Sequence, residues 1–411
     1  MDILHDLESR GILKQISNRD KLIKLDPATS SVYAGFDPTA TSLHLGNYIQ
    51  ISILLRFKKM GWKTYALIGG ATGMIGDPSF KDSERQLLDN NTILNNKNHI
   101  RNQLESFGLE VIDNYDFYKD MNVLDFIRDV GKMVNVSYLL AKDSVASRIS
   151  KGLSFTEFSY SLIQGWDFLT LYKTKNICVQ FGGSDQWGNI TTGLDMISKT
   201  FGDEHKAVAL TSNLLTDSNG NKFGKSTGGG SLWLDKSKTK PYAMYQFLVT
   251  QPDSQVEKLL KWLTFLPINE IDEIIKVHNE NPANQYAQKV LAKLIVGDIH
   301  GEKEVKKAIT ISHILFDKKL DYSSLTINDM QDIENEITTV SLEKDKNLIE
   351  QLVANKLVQS KRQAREFLQT QAIKINGQAI DESYLLTSEI YNNQYALLNI
   401  GKKNIFLVKL V

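Results

Sequence analysis

Cysteine is almost missing from this sequence: Cys178 is the only one among 411 residues. No disulfide can close within the chain, and no cysteine-rich zinc site can be built from it. Cys178 stands in Ile177-Cys178-Val179, which reads as a buried strand, and the scarcity is compatible with a reducing, cytoplasmic setting. Net charge is missing too. Lys plus Arg number 48 and Asp plus Glu number 48, so no global field advertises a nucleic-acid partner and any RNA footprint must be local. No apolar run approaches the roughly 18 residues of a membrane span, so no membrane partner is expected. The opening residues Met1-Asp2-Ile3-Leu4-His5-Asp6 are acidic and amphipathic, unlike a signal or transit peptide. What is present is 42% hydrophobic and 23% charged, the composition of a soluble globular chain. At about 150 residues per domain, its length suits two or three domains.

One stretch organises the rest. Val32-Tyr33-Ala34-Gly35-Phe36 reads as a strand. Asp37-Pro38-Thr39 breaks it, because proline fixes φ and restricts its predecessor. A helical pattern runs from about Gly46 to Met60-Gly61. A helix start after a parallel strand is an anion site, since its N–H groups and dipole face the ligand. Gly46 permits close approach of a ligand, His44 adds a donor and Thr39 a hydroxyl. A second strand, Lys63–Ile68, leads into Gly69-Gly70-Ala71-Thr72-Gly73-Met74-Ile75-Gly76-Asp77. Strand, helix, strand without a hairpin turn predicts a βαβ unit and a parallel sheet. Ligands bind such sheets at the carboxyl ends of the strands, where Asp77 would lie.

Residues 91–150 read as mainly helical and connecting. Residues 153–172 read as a helix in which Tyr160, Gln164 and Asp167 share one face amid Phe155, Phe158, Leu162, Ile163 and Phe168. Such a polar stripe fits an internal hydrogen-bond network or an exposed face. It also fits an amino-acid pocket, where Tyr160 and Gln164 would take the α-amino group. Asp167, with Tyr33, would then take a phenolic hydroxyl. Asn176–Phe181 reads as another buried strand, ended by Gly182-Gly183-Ser184-Asp185-Gln186, with a helix from near Trp187. The opening layout is repeated, which places Gly183 against a nucleotide and Asp185 near ribose hydroxyls. A last strand region, Ala207–Leu210 and Leu214-Leu215, precedes a polar, glycine-rich loop with Lys222 and Lys225 three residues apart. Such a loop can close over phosphates and deliver charge to a transition state.

His44-Leu45-Gly46-Asn47 resembles the first signature of class I aminoacyl-tRNA synthetases, and Lys222-Phe223-Gly224-Lys225-Ser226 resembles the second. Tyr33–Ala40 and Gly182–Asn189 are similar to the bacterial-type tyrosyl enzymes of that family, and the likeness runs the length of the chain. The resemblance implies tyrosine–tRNA ligation, with L-tyrosine, ATP and tRNA(Tyr) as partners and magnesium accompanying ATP without a protein ligand set. It implies tyrosine contacts from Tyr33, Asp77, Asn114, Tyr160, Gln164 and Asp167. It assigns ATP contacts to Gly35, Asp37, Thr39, His44, Gly46, Asn47, Gly183, Asp185, Gln186, Lys222, Lys225 and Ser226. Pyrophosphate contacts fall to Lys81 and Arg85, and transition-state stabilisation to Thr39, His44, Lys222 and Lys225. A homodimer is implied as well. Asn47 stands where the signature has its second histidine, Trp166 where many relatives carry tyrosine, and Phe80 where many carry glycine. The rival readings are a non-catalytic RNA-binding protein on the same scaffold and the tryptophan enzyme.

The resulting architecture is α/β: a Rossmann-like catalytic domain over 1–235, a helical tRNA-binding domain over 236–316, a partly acidic connector over 317–340, and a small α+β unit over 341–411. In the last, Ser360–Leu368 reads as a basic helix and Ala372–Ile380 as a strand with an Asn-Gly hairpin turn. This resembles the RNA-binding domain of a small-subunit ribosomal protein (S-four-like). Lys361, Arg362, Arg365 and Lys374 would meet tRNA phosphates.

Overall fold

A computed structural model describes residues 2–77, 79, 88–142, 145–146, 149, 152–216, 223–224, 231–317, 320–334, 336–387, 391–401 and 404–411. The helices include α1 (Ile3–Ser9), α2 (Leu45–Lys59), α3 (Asn90–Ser106), α4 (Phe155–Lys175), α5 (Trp187–Phe201), α6 (Pro241–Val249), α7 (Asp253–Leu263), α8 (Glu302–Phe316), α9 (Ile327–Ile333), α10 (Leu348–Ala354) and α11 (Lys361–Gln369), with two more, Ile268–Glu280 and Tyr286–His300, between α7 and α8. Two compact units result. One holds Met1–Thr239 with Thr250–Leu291, the other Lys240–Val249 with Ala292–Val411.

The first unit is built on a six-stranded sheet of β1 (Leu13–Ile16), β2 (Ser31–Phe36), β3 (Lys63–Ile68), β4 (Glu110–Asp113), β5 (Ile177–Gly183) and β6 (Val208–Ser212). Their spatial order is β1-β6-β5-β2-β3-β4. Five strands run parallel, and β1 pairs antiparallel with β6. The expected parallel sheet is therefore extended by an antiparallel edge. Residues 91–150, expected to be mainly helical and connecting, also contain β4, and β1 forms within the first 30 residues. Both are four-residue edge strands with little burial, too short to impose a two-residue period on the sequence.

From β2 the chain moves outward to β3 and β4, then returns to β5 on the other side of β2. That reversal opens a crevice at the carboxyl ends of β2 and β5. Tyr33 stands beside Gln180 there. Helices α4 and α5 cross close by, because Gly165 and Gly193 leave no side chain between them. A Cβ at Gly193 would lie 2.8 Å from Phe168 Cβ. Gly193→Ala is expected to destabilise this unit by about 1–3 kcal/mol through overpacking, read as a lower thermal midpoint.

The second unit carries a sheet of order β7-β11-β10-β8-β9, from β7 (Thr339–Leu342), β8 (Ile373–Ile375), β9 (Gln378–Ala379), β10 (Tyr395–Ile400) and β11 (Asn404–Leu410). The Asn376-Gly377 turn joins β8 and β9, with both residues at positive φ. Alternation along β10 sends Ala396 and Leu398 into the core with Leu352, Ala364 and Leu368 of α10 and α11. It sends Tyr395 and Leu397 to the other face, among Ile311, Ile314, Met330 and Ile333 of α8 and α9. The expected connector over 317–340 is thus largely ordered structure: α9 covers one sheet face, and the boundary at 340/341 falls inside β7. The expected division at 235/236 is likewise displaced, since α7 belongs with the first unit and α6 with the second. Ile327, Met330 and Ile333 recur at helical spacing, but the acidic residues among them masked the pattern.

Candidate active site

The loop after β2 delivers His44 as the N-cap of α2. The Asn47 N–H donates to His44 Nδ1 at 3.3 Å, and the His44 N–H donates to Asn47 Oδ1 at 3.1 Å. This reciprocal box satisfies two of the helix's end groups. With Nδ1 accepting, the neutral imidazole carries its proton on Nε2. Asn47 caps with its oxygen, which leaves its amide nitrogen as donor chemistry in this departure from the signature. Gly46 is required sterically, because a Cβ there would lie 2.9 Å from the His44 ring and 3.2 Å from the Phe223 carbonyl oxygen.

The backbone ahead of His44 is held from two sides. Gln103 of α3 accepts from the Leu43 N–H at 2.8 Å and donates to Ser42 Oγ at 2.9 Å. The Leu45 N–H donates to the Leu232 carbonyl at 2.7 Å, and the Leu234 N–H to the Leu43 carbonyl at 2.8 Å. The segment following the second signature is thereby stitched to the first. Phe223 is buried, and Gly224, at φ +93°, packs so closely that a Cβ would lie 2.7 Å from the Gly46 nitrogen. Lys222, Lys225 and Ser226 lie outside the described residues, as do Phe80, Lys81 and Arg85.

Toward the sheet, the site becomes dry. Asp167 and Tyr33 are each 1% exposed. Asn114 Nδ2 donates to Asp167 Oδ2 at 2.9 Å, and the Tyr118 hydroxyl lies 2.6 Å from Asp167 Oδ1. Burial nevertheless pushes the Asp167 carboxyl up to about 7, against the usual carboxylate range near 4. Burial, and then the Asp167 charge, raise the Tyr33 phenol well above its ordinary value. The Tyr160 hydroxyl donates to Asp37 Oδ2 at 3.0 Å, and Thr72 Oγ1 to Asp37 Oδ1 at 2.7 Å. Gly69 makes room for this, since its Cβ would lie 2.0 Å from Asp37 Oδ1. Gln186 Nε2 donates to Asp77 Oδ2 at 2.7 Å, and Asn189 Nδ2 to Gln186 Oε1 at 3.1 Å.

A cavity of about 260 Å³ opens among these groups. Of the residues singled out in the sequence, Tyr33, Gly35, Asp37, Thr39, His44, Asn47, Asp77, Asn114, Tyr160, Gln164, Asp167, Asp185 and Gln186 line it. A second cavity of about 270 Å³ is lined by His44, Gly46, Asn47, Gly183, Asp185 and Phe223. The two share His44, Asn47, Gln50 and Asp185. Three buried polar atoms of the first cavity's lining, Tyr33 Oη, Gln164 Oε1 and Gln180 Oε1, have no hydrogen-bond partner among the described residues. Gln180, Thr72 and Gln50 also line the first cavity, and Tyr118 bonds Asp167 behind it, beyond the candidate residues that the sequence offers. A glutamine between Val179 and Phe181 in a buried strand was a readable signal; Tyr118, in a turn with no period, offered none. Trp166 packs against the core around Phe168. In the second unit, Lys361, Arg362, Arg365 and Lys374 are exposed. Lys361 pairs with Glu350 at 2.7 Å and Arg365 with Glu382 at 2.8 Å.

A polar recess at the switch point of a doubly wound sheet, next to a helix start that suits phosphates, defines an α/β nucleotide-binding enzyme fold. The family model for "tRNA synthetases class I (W and Y)" matches residues 27–317, and that for the "Tyrosine--tRNA ligase SYY-like C-terminal domain" matches residues 329–408. The chain belongs to the class I tRNA synthetases of the tryptophan and tyrosine group. It is 57% identical over 407 residues to a tyrosine–tRNA ligase of Mycoplasmopsis synoviae (strain 53), covering 99% of each chain. It is 57% identical over 411 residues to that of Mycoplasmopsis agalactiae, covering 100% of each. Its structure resembles a C-terminally truncated mitochondrial tyrosyl-tRNA synthetase of Aspergillus nidulans with a TM-score of 0.69 at 30% identity, over 76% of this chain and 94% of that one.

Proposed function

We propose that this chain is a tyrosine–tRNA ligase. The carboxylate of L-tyrosine attacks the α-phosphate of ATP, forming tyrosyl-adenylate and releasing pyrophosphate. The 3′-terminal hydroxyl of tRNA(Tyr) then takes the tyrosyl group and AMP leaves. One observation carries the reading: Tyr33 Oη, Gln164 Oε1 and Gln180 Oε1 are buried without partners around a cavity that Asp167 also lines. A buried polar atom left unpaired costs about 1–3 kcal/mol, so a ligand that pairs them is favoured. Tyrosine supplies a phenol for Asp167 and Tyr33, and an ammonium for Asp77, Tyr160 and Gln164. Phenylalanine would leave the phenol-reading groups unpaired. Tyrosyl-tRNA synthetases are themselves the reference case for this effect, at about 10⁵-fold without editing.

On this reading no side chain is a nucleophile. Thr39 and His44 Nε2–H stabilise charge developing on the phosphates, joined by Lys222 and Lys225 on the strength of their sequence. Gly35, Asp37, Gly46, Asn47, Gly183, Asp185 and Gln186 hold the nucleotide, and Ser226, Lys81 and Arg85 belong to the proposal by sequence alone. Among the described residues no group of three or more His, Cys, Asp or Glu suits a metal ion. Magnesium enters here only as a companion of ATP, and no step is routed through it. The exposed Lys361, Arg362, Arg365 and Lys374 would meet tRNA phosphates, and the reading implies the cytoplasm as compartment. A second copy of the chain would cover the exposed apolar residues Val123, Leu124, Ile127, Val136 and Tyr138, giving a particle of about twice 46.4 kDa.

Purified protein is expected to exchange labelled pyrophosphate into ATP when tyrosine is supplied. No exchange would leave a non-catalytic RNA-binding protein on this scaffold. Faster exchange with tryptophan would overturn the roles given to Asp167 and Tyr33.

A further inference from the structure

Tyr118 closes the short turn Asn114–Phe117 after β4 and is not among the cavity-lining residues. Its hydroxyl lies 2.6 Å from Asp167 Oδ1 and 2.8 Å from the Ile163 carbonyl oxygen. A phenol has one proton to donate, so it cannot serve both oxygens at full strength. Two arrangements satisfy the geometry. When Asp167 is ionised, Tyr118 donates to Oδ1. When Asp167 is protonated, Oδ1–H donates to the Tyr118 oxygen, and Tyr118 donates to Ile163. The other carboxylate oxygen has no such freedom. Asn114 Oδ1 accepts from the Ala71 N–H at 2.7 Å, which fixes its amide nitrogen as the donor to Asp167 Oδ2.

We propose that Tyr118 is a positioning residue for substrate recognition: with Asn114, it holds the Asp167 carboxylate ionised and oriented so that a phenolic hydroxyl can donate to it. This rests on the tyrosine reading above and deepens it. The groups facing Asp167 are Tyr33 on β2, Asp37 beyond β2, Asp113 at the end of β4, Asn114, Tyr118, and Tyr160 on its own helix. Burial raises the Asp167 carboxyl most; the bonds from Asn114 and Tyr118 draw it down, while Asp37 and Asp113 push it up. Without the Tyr118 hydroxyl, one of the two downward influences is lost. Tyrosine donates its O–H to the ionised form, so its affinity rises as pH rises through the Asp167 transition and levels off above it.

The test is tyrosine binding to the full chain, followed across pH for wild type and Tyr118→Phe. The wild-type curve is expected to rise around pH 7. In Tyr118→Phe it moves to higher pH, and at neutral pH binding weakens about tenfold, the worth of one hydrogen bond to a charged group. Phenylalanine, which has no hydroxyl to offer Asp167, keeps its wild-type affinity in the variant. Wild-type affinity and pH profile for tyrosine in Tyr118→Phe would overturn the proposal. Should the variant not fold, infrared spectroscopy of the unliganded wild type decides, through the protonated-carboxyl band missing from Asp167→Asn. Loss of that band as pH rises past about 7 supports the proposal; its persistence at about pH 9 overturns it. A wild-type protein that binds no tyrosine removes the tyrosine reading itself, before any variant is compared.

Discussion

Asp167→Asn is expected to lower kcat/KM for tyrosine-dependent pyrophosphate exchange by about 10³-fold while leaving the fold intact. The reason lies in how Asn114 is held. Its amide nitrogen must meet an acceptor, so an asparagine at 167 turns its oxygen toward Asn114 and its NH₂ toward Tyr118 and the cavity. Tyr118 can accept from that NH₂ and donate to Ile163, whose carbonyl is 2.8 Å away. The substrate phenol, by contrast, meets a donor where it needs an acceptor, and the preference for tyrosine over phenylalanine narrows with the loss. Stability moves the other way. Folding raises the Asp167 carboxyl from 3.8 to about 7, so the folded state holds a proton there that the unfolded chain has released. That contribution is fully present below pH 3.8 and is lost as pH rises toward 7. The unliganded wild type should therefore lose thermal stability over that window through this group, and Asp167→Asn should not. Exchange kinetics with both amino acids, beside melting curves at acid and neutral pH, check the two halves. A variant with wild-type exchange would remove Asp167 from recognition.

Asp6→Ala is expected to lower the stability of the first unit by about 3–5 kcal/mol, seen as a drop of several degrees in the thermal midpoint. Asp6, Arg10 and Arg56 are all buried. Asp6 Oδ1 accepts from Arg10 Nε at 2.7 Å, and Oδ2 from Arg56 Nη1 at 3.3 Å. The two guanidiniums then cap the end of α7. Arg10 reaches the Lys261 and Leu266 carbonyls at 3.1 and 2.8 Å, and Arg56 the Lys261, Trp262 and Thr264 carbonyls. Burial, then the neighbouring Arg10, draw the Arg56 guanidinium down to about 10. Asp6 is the one carboxylate paired with either arginine among the described residues. Its loss leaves two buried like charges uncompensated, whereas Asp6→Asn keeps an acceptor and should cost less. Equal melting curves for Asp6→Ala and wild type would show that the carbonyls alone suffice.

The elements that carry the site were the legible ones. Val32–Phe36 and Ile177–Phe181 are central strands, so their apolar runs are long, and the α2 period after Gly46 is strong. The edge strands β1 and β4 and the helix α9 were not, because short or half-exposed elements leave little pattern. Membership of the site followed a similar rule. Residues in the signature motifs, at a glycine-rich strand end or on one helix face can be named; Gln180 carries a readable signal in its buried strand, while Thr72 and Tyr118 stand in a turn or short helix whose sequence marks neither.

The sequence by itself determined the chemistry available: which donors, acceptors and close-approach glycines exist, and that two strand–loop–helix turns of one kind present them. Only the tertiary structure decided the pairings. Tyr118 meets Asp167 across 49 residues, Gln186 meets Asp77 across 109, and Tyr160 meets Asp37 across 123. Local periodicity reports which face of an element is buried, and nothing in it says which distant side chain will share that burial. That choice is made when the parallel pairing of β2 with β5 brings the ends of separate strands to one crevice, where water is excluded and each polar atom must find a partner.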